Sequence, residues 1–314
     1  MTTESLISAE SKETVTLHAA GRGLPWINLT DGKQLPADYE GEARIQAAMK
    51  RGQTVPTAMA SADFDGDGKP DLICGYAGAG SGVVALHRGN SSFVSNYSSS
   101  YKGRESKAAS EVSAIDERSP FLARAQSLDL PQQPDFLGAG DFNGDGKQDA
   151  VAATRGSNML AWMLGDGRGG FAMIVPTALP GPVRALVVGE ANRADGLDDV
   201  VVATGGPAPQ VLVSERPGGA LGSEPEAFQM QAEVTALAIG QLDNSYEFDL
   251  AIAAGAEVLI VHGRDRYSPL AEVQQGEASP PLVTRFGSGF HIASLALGDF
   301  VWDREHWTEI ALLS

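Results

Sequence analysis

A single cysteine, Cys74, stands in the 314 residues, so no disulfide can form within the chain and cysteine usage indicates no redox compartment. Basic residues are also few. The chain has 23 Lys and Arg against 40 Asp and Glu, a formal net charge of −17. Because so acidic a chain repels phosphate backbones and anionic headgroups, we expect neither nucleic acid nor a membrane surface as a partner.

Long apolar runs are missing as well. The longest, residues 250–261, falls short of the roughly 18 residues of a membrane helix and contains Glu257. The sequence therefore predicts no membrane insertion. The first 21 residues have no basic start followed by an apolar core, so they do not have the pattern of a secretory signal.

Catalytic motifs are scarce. No G-x-S-x-G elbow is present, and the one G-x-G-x-x-G run, at 165–170, is followed by a strand-like segment where dinucleotide binding needs a helix. Aromatic residues, the stacking platforms for sugars, make up 7% of the chain. No metal-protease spacing occurs among the histidines, which are His18, His87, His262, His291 and His306. We predict that the protein is not an enzyme.

What the chain does have is turns and a repeat. Glycine occurs 37 times and proline 17 times, which indicates many turns. Residues 63–72 have the sequence DFDGDGKPDL and residues 141–150 have DFNGDGKQDA, each between short apolar runs. Weaker copies give repeats that begin at residues 63, 141, 190, 241 and 299. The spacing is close to 50 residues except in the first repeat.

A period near 50 with several short apolar runs per unit is typical of a propeller blade, a four-stranded antiparallel sheet. In the second unit, turn residues separate predicted strands near 135–140, 149–154, 158–164 and 171–178. We predict an all-β fold, a β-propeller of four-stranded antiparallel blades. About five repeats are recognisable, the last one incomplete, and the blades start near 57, 135, 183, 233 and 292.

Two regions precede or interrupt the repeats. Residues 1–56 are predicted to be an N-terminal segment, partly disordered, with a strand near 24–30 and a short helix in 41–50, ahead of a propeller over 57–314. The Ser-rich, charged stretch 91–130 is predicted to be a loop inserted in the first blade. Residues 14–30 are one candidate to complete the fifth blade. The alternative, which the end of the sequence inside an apolar run favours, is that the chain is one part of a longer propeller.

The first repeat loop has the pattern of a site for a hard divalent cation. Acids stand at positions 1, 3, 5 and 9, Gly68 at position 6 permits a positive φ, and a backbone carbonyl at position 7 can add an oxygen. Calcium fits such an all-oxygen shell best. The predicted ligands are Asp63, Asp65, Asp67, Asp71 and the Lys69 carbonyl.

The second loop repeats this pattern with one amide in place of a carboxylate. Its predicted ligands are Asp141, Asn143, Asp145, Asp149 and the Lys147 carbonyl. An EF-hand is excluded because position 12 holds Cys74 or Ala152 instead of Glu and because strands, not helices, flank the loops. The alternative is a hairpin in which Asp and Gly serve only the turn. We therefore predict about two calcium sites.

Later loops keep only part of the pattern. The third has one extra residue, the fourth lacks acids at positions 1 and 5, and the fifth has irregular spacing. Weaker candidate ligands in the third and fourth loops are Glu190, Asn192, Asp195, Asp199, Asp243 and Asp249.

The recurring D-F-[DN]-G-D-G-K-x-D string followed by a strand resembles the FG-GAP/VCBS repeat family, which is related to the propeller of integrin α-subunits. The resemblance covers about residues 57–314 and implies calcium in the acidic loops and a secreted or cell-surface location. The run 75–80, GYAGAG, lacks the Phe and Pro of the family's Phe-Gly…Gly-Ala-Pro element. The resemblance to the integrin propeller therefore does not include this element, and integrin-like ligand binding is not implied by it.

These observations favour a non-catalytic, extracellular or cell-surface calcium-binding module that recognises a protein or glycan, as in adhesion. Without the bidentate Glu of an EF-hand the loops should bind calcium weakly, in the range of extracellular modules. Two alternatives stay open. One is a carbohydrate-active enzyme or lectin on the same scaffold, since paired carboxylates can meet from distant positions. The other is a structural spacer of a larger surface protein.

Overall fold

A computed structural model describes residues 16–18, 26–28, 37–78, 81–90, 119–192, 195–215, 218–264, 266, 280–300 and 308–314. Just over half of these residues lie in β-strands, and there is one helix among them, α1 (Ala43–Lys50). Within this part of the chain, no helix has the length and apolar composition needed to cross a membrane.

The first sheet, blade 1, has five strands in the order β3-β7-β6-β5-β4. All neighbours are antiparallel except β3, which runs parallel to β7. The strands are β3 (Asp38–Glu40), β4 (Thr54–Ala62), β5 (Asp71–Gly78), β6 (Ser81–Gly89) and β7 (Phe121–Leu130).

Three four-stranded antiparallel sheets follow, each with its strands in chain order. Blade 2 contains β8 (Phe136–Gly140), β9 (Asp149–Ala153), β10 (Met159–Gly165) and β11 (Phe171–Ala178). Blade 3 contains β12 (Val183–Gly189), β13 (Asp199–Thr204), β14 (Gln210–Ser214) and β15 (Glu226–Gln229). Blade 4 contains β16 (Val234–Gly240), β17 (Asp249–Ala254), β18 (Glu257–Val261) and β19 (Val283–Gly287).

Two smaller sheets complete the described strands. Blade 5 is the pair β20 (Ser294–Gly298) and β21 (Glu309–Leu313), and the other pair is β1 (Thr16–His18) with β2 (Trp26–Asn28). In the described residues β1 and β2 form ladder contacts only with each other, so the predicted completion of blade 5 by residues 14–30 does not appear there.

The first strands of successive blades, β4, β8, β12, β16 and β20, contact one another in that order. The sheets therefore stack face to face like the blades of a propeller, and the prediction of an all-β, propeller-type fold is confirmed. The four strands predicted in the second unit match blade 2 to within one residue at each end.

In blades 2, 3 and 4, the neighbouring sheets explain why the second strand is apolar on both faces. Every residue of β9, β13 and β17 is buried, because the sheet on either side covers one face. Val201 of β13 and Ile252 of β17, for example, belong to one core shared by blades 3 and 4. Burying each such side chain stabilises the fold by about 1.5–3 kcal/mol, so the blades stabilise one another.

The prediction of an inserted loop over 91–130 is wrong for its last ten residues. Phe121–Leu130 form strand β7, which pairs with β6. Ala125 and Ser127 of β7 are buried while Gln126 faces outward. Because this outer strand is half exposed, it contains polar residues, and its sequence therefore resembles that of a loop. Residues 91–118 lie outside the described part of the chain.

The predicted boundary at residue 57 is also wrong, since it cuts through β4, which begins at Thr54. The helix expected in 41–50 is α1, and it packs on blade 1. Its Ile45 and Met49 form a buried cluster with Val83 and Ala85 of β6. The segment before the first repeat is therefore part of the first blade's core. The disorder predicted for the start of the chain falls mainly on residues that are not described.

Candidate metal centres

The acidic loop of every blade connects its first strand to its second, and the last acid of the loop closes the turn. One oxygen of that acid accepts the backbone N–H of the second loop residue, at 2.6 to 3.2 Å. The pairs are Phe64 with Asp71, Phe142 with Asp149, Ala191 with Asp199, Leu242 with Asp249 and Phe300 with Glu309.

The other oxygen of the last acid holds the end of the third strand. In blades 1, 2 and 4 it accepts the N–H of a glycine, at 2.7, 2.7 and 2.9 Å. A side chain has no room there: a Cβ on Gly165 would lie 2.0 Å from the carbonyl oxygen of Gln148. The pairs are Gly89 with Asp71, Gly165 with Asp149 and Gly263 with Asp249. The last acid thus has a structural role in the hairpin whatever else it binds.

The first loop brings three of its predicted ligands together. Asp63, Asp65 and Asp71 each offer a carboxylate oxygen, and these oxygens lie within 4.8 Å of one another. Asp63 also accepts backbone N–H groups from Asp67 at 3.1 Å and from Gly68 at 2.8 Å. Gly68 has the positive φ, 81°, that its position required. The carboxylate of Asp67 is outside this group and accepts the N–H of Lys69.

An arginine that the loop motif does not predict also contacts the first loop. Arg88, at the end of β6, donates from Nε to Oδ2 of Asp65 at 2.6 Å and from a terminal nitrogen to the same oxygen. The Asp65 side chain is only 4% exposed. The guanidinium neutralises one of the clustered acids and competes with any cation for it.

The second loop has the same turn but a looser group of acids. Asp141 accepts N–H groups from Gly144 at 2.8 Å and Gly146 at 2.7 Å, as Asp63 does in the first loop. The Lys147 ammonium lies 3.1 Å from Asp145. Among the described residues, Asp141, Asp145 and Asp149 do not form a group of the kind found in loop 1. Asn143 accepts the N–H of Asp145 at 2.9 Å.

The last acids of loops 1 and 2 are buried close to other acids, which makes their charged forms unfavourable. Burial raises the pKa of Asp71, and the nearby charges of Asp65 and Asp63 add to the effect. Burial likewise raises the pKa of Asp149 to about 6, with further contributions from Asp145 and Asp141. A cation bound in either loop would relieve this repulsion.

The third loop keeps the turn and redirects one candidate ligand. Glu190 accepts the N–H groups of Asp195 and Gly196, both at 2.9 Å, which is the role of Asp63 in loop 1. Asn192 turns away from the loop, and its Nδ2 donates to Glu215 at 2.7 Å. The site prediction for Asn192 is therefore not supported by its placement. Burial raises the pKa of Asp199 to about 8, and the charge of Glu215 contributes.

The fourth loop brings its two predicted acids together with a histidine. Asp243, Asp249 and His262 each offer a ligand atom within 4.8 Å of the other two. Hydrogen bonds from Ser245 lower the pKa of Asp243. Residue 262 precedes the glycine that binds the last acid, as Arg88 does in blade 1. Arg88 and His262 could have been found from the sequence by this shared position. It becomes visible only when the repeats are aligned on the glycine that follows each of them.

Backbone hydrogen bonds tie neighbouring blades together along the loop edge. The carbonyl of Phe64 in loop 1 accepts from Gly169 of blade 2 at 3.1 Å, and that of Phe142 in loop 2 accepts from Leu221 of blade 3 at 2.8 Å. Asn192 of loop 3 and Phe248 of loop 4 exchange two such bonds, at 3.0 and 2.8 Å. Loops 1, 2 and 3 are thus each bonded to the next blade.

Comparisons with known proteins identify the repeats. Residues 55–91 match the FG-GAP repeat and residues 141–193 match the FG-GAP-like repeat, which confirms the resemblance drawn from the sequence. No curated protein sequence matches the chain significantly.

Two solved structures align with much of the chain at low sequence identity. The crystal structure of BBS1N in complex with ARL6DN, soaked with mercury, aligns with a TM-score of 0.47 and 14% identity, over 83% of this chain and 62% of that chain. The V. cholerae biofilm matrix protein Bap1 gives a TM-score of 0.35 and 13% identity, over 79% and 45%. The chain spans less than two thirds of the length of either.

Proposed function

We propose that this chain, a β-propeller module with FG-GAP-type repeats, binds calcium in its first two acidic loops and recognises a protein or glycan ligand without catalysis, outside the cell or at its surface. The observation that carries the proposal is the convergence of Asp63, Asp65 and Asp71 within 4.8 Å.

The oxygen spacing in loop 1 fits a calcium ion. Calcium takes six to eight oxygens at roughly 2.3–2.6 Å, so two ligands on opposite sides of the ion are at most about 5 Å apart. The three converging oxygens satisfy that limit. The N–H groups that Asp63 accepts use one lone pair of each oxygen and leave another for an ion. Asp67 and the Lys69 carbonyl would complete the shell.

Loop 2 repeats the backbone of loop 1 and would hold a second ion, with Asp141, Asn143, Asp145, Asp149 and the Lys147 carbonyl as ligands. Its Gly146 has a φ of 80°, against 81° at Gly68. Lys147 contacts Asp145 much as Arg88 contacts Asp65, but loop 2 has the amide of Asn143 in place of a carboxylate and its acids do not converge as those of loop 1 do. We therefore expect weaker binding than in loop 1. Calcium supplies positive charge that fixes both hairpins.

Hairpins that calcium holds rigid would favour the binding of a protein or glycan ligand. A loop that is ordered before it meets a ligand loses less conformational entropy on binding, so calcium would raise affinity for a protein or glycan without touching it. The acids that dominate these loops accept backbone hydrogen bonds, which is a structural role and not a catalytic one.

Thermal unfolding tests the calcium proposal. We expect the melting temperature to fall in EDTA and to recover with millimolar Ca²⁺ but not with equal Mg²⁺. A ligand at one hundred times its Kd stabilises a fold by about 2.7 kcal/mol. The variant Asp63→Asn should lose most of the response, while Asp38→Asn, an exposed acid outside the loops, should keep it. Equal melting in EDTA and calcium would refute the metal role.

The recognition proposal needs its own measurement. The labelled protein is applied to a glycan array and to immobilised extracellular-matrix proteins, with Ca²⁺ and with EDTA. Calcium-dependent retention of the protein, without turnover of the glycan that retains it, would support the proposal of non-catalytic recognition. Release of reducing ends from a retained polysaccharide would instead make the protein an enzyme.

A further inference from the structure

The fourth loop differs from the first two in the chemistry of its ligands. It offers two carboxylates and one imidazole nitrogen, whereas loops 1 and 2 offer oxygen alone. Nδ1 of His262 lies 2.9 Å from Oδ2 of Asp243 and 3.7 Å from Oδ1 of Asp249. Nitrogen is a poor ligand for calcium and a good one for zinc and its neighbours in the first transition series.

We propose that Asp243, Asp249 and His262 form a binding site for a divalent transition metal of the Zn²⁺ class, distinct from the calcium sites and independent of the proposed function. Three protein ligands leave the fourth position of a tetrahedral ion for water. The site lies in blade 4, where the calcium pattern has lost its acids at positions 1 and 5.

The distances suit such an ion. Zinc binds nitrogen and oxygen at roughly 2.0–2.2 Å, so neighbouring ligands around a tetrahedral ion are about 3.3 Å apart. The two measured separations from Nδ1, 2.9 and 3.7 Å, lie on either side of that value. Small rotations of the Asp243 and His262 side chains would equalise them.

Thr284 of β19, a residue outside the loop, orients the imidazole. Its Oγ1 lies 2.8 Å from Nε2 of His262 and can accept a hydrogen bond from a protonated Nε2. With Nε2 protonated, the lone pair of Nδ1 faces the two carboxylates, as a metal ligand requires. Metal-binding histidines usually donate their second ring nitrogen to such a partner.

The remaining contacts hold the carboxylates in place and leave a way in. Both oxygens of Asp249 accept backbone N–H groups, from Leu242 and Gly263, so this fully buried ligand is pre-oriented. Asp243 accepts the N–H of Ser245 through Oδ1, which leaves Oδ2 toward the imidazole. The side chains of His262 and Asp243 are 22% and 35% exposed, so an ion can enter from solvent.

In blade 1 the position that corresponds to His262 holds a side chain that cannot bind a metal. There Arg88 stands at the position of His262 and pairs with Asp65, the counterpart of Asp243. A protonated His262 would pair with Asp243 as Arg88 pairs with Asp65, and would compete with a metal for that carboxylate. His262 therefore either binds a metal or pairs with Asp243, and an experiment can distinguish these two states.

Metal binding by the intact chain decides between them. Zn²⁺ is titrated calorimetrically and Co²⁺ is followed by its visible d–d bands, with millimolar Ca²⁺ present throughout to fill the oxygen-only loops. We expect one Zn²⁺ per chain and a Co²⁺ spectrum with four-coordinate intensity. His262→Gln should weaken binding by more than about tenfold and Thr284→Val by about tenfold. His291→Gln, an exposed histidine elsewhere, should bind as the wild type does.

Three results would overturn the proposal: no Zn²⁺ binding, binding that His262→Gln leaves unchanged, or binding that His291→Gln removes. Circular dichroism shows whether each variant is folded, and Asp243→Asn, which keeps the Oδ1 acceptor for Ser245, gives a second test if His262→Gln unfolds. Loss of the calcium response in melting would refute the proposed function and leave this result untouched.

Discussion

The backbone N–H of Gly165 donates to Oδ1 of Asp149 across 2.7 Å and joins the end of β10 to the start of β9. The same carboxylate accepts the N–H of Phe142 in the loop, so one buried side chain connects three segments of blade 2. Leaving a buried N–H without an acceptor costs about 1–3 kcal/mol. The last acid of the motif therefore has a structural reason to be present even in blades that hold no ion.

Gly165→Ala should destabilise the protein by about 1–3 kcal/mol or more, because the new methyl group would collide with the Gln148 carbonyl and push Gly165 away from Asp149. Urea unfolding measures the change. Gly287→Ala is the matched control, since a Cβ there meets nothing within 4 Å, and it should be neutral or slightly stabilising. Equal midpoints for the two variants would contradict the close-approach argument.

Arg88→Gln should raise the calcium affinity of loop 1 by roughly tenfold, because removal of the guanidinium frees the Asp65 oxygen and leaves more negative charge for the ion. Calorimetric titration with Ca²⁺ measures the effect. Arg124→Gln, which removes an exposed arginine paired with Glu40 in β3, is the control and should change nothing. An unchanged or weaker affinity in Arg88→Gln would show that Arg88 does not compete with the ion.

The contribution of His87 to stability should become unfavourable as the pH falls below about 6.5, against the opposite contribution of buried acids with raised pKa values such as Asp149 and Asp199. Burial lowers the pKa of His87, which lies between the rings of Tyr39 and Phe121 at 6.1 and 6.2 Å. The unfolded chain, whose histidine titrates near 6.5, takes up the proton first, so acid favours unfolding through this group.

The free energy of unfolding, measured in urea between about pH 7.5 and about pH 5.5, checks this prediction. Relative to the wild type, His87→Phe should gain stability as the pH falls, because it lacks this unfavourable protonation, and the exposed His291→Gln should not. A profile that keeps its full slope in His87→Phe would assign the acid sensitivity to other groups.

Ile45→Ala should destabilise the protein by about 2–5 kcal/mol, since Ile45 is fully buried against β6 and its truncation leaves a cavity. Lys50→Ala, on the exposed end of the same helix, should stay within about 0.5 kcal/mol of the wild type. If both variants unfold at the same urea concentration, α1 is not part of the first blade's core.

Much of the fold follows from the repeat itself. Glycine and aspartate turns around apolar runs locate the strands of blade 2, and β9 (Asp149–Ala153) is apolar on both faces because neighbouring sheets cover it. Strand β7 escapes prediction because its exposed face carries Arg124 and Gln126, which give it the composition of a loop. Outer strands lack the two-sided burial that makes inner strands easy to recognise.

The candidate sites are predictable only in part. The loop motif identifies Asp63, Asp65 and Asp71, which the structure brings together. It contains no information on Arg88 or His262, which lie 23 and 19 residues from the acids that they contact. Strand pairing brings them to the loops, so their roles depend on the register of the third strand.

The hydrogen bonds that link loops 1, 2 and 3 to the following blades join the loop edges of blades 1 to 4 in one row. The Phe142 carbonyl that receives Leu221 belongs to the same hairpin that Asp149 closes. A force that bends one hairpin is therefore transmitted to the amide of the next blade instead of ending in a flexible turn. Tension applied at blade 1 would therefore be shared with blades 2, 3 and 4 through these hydrogen bonds.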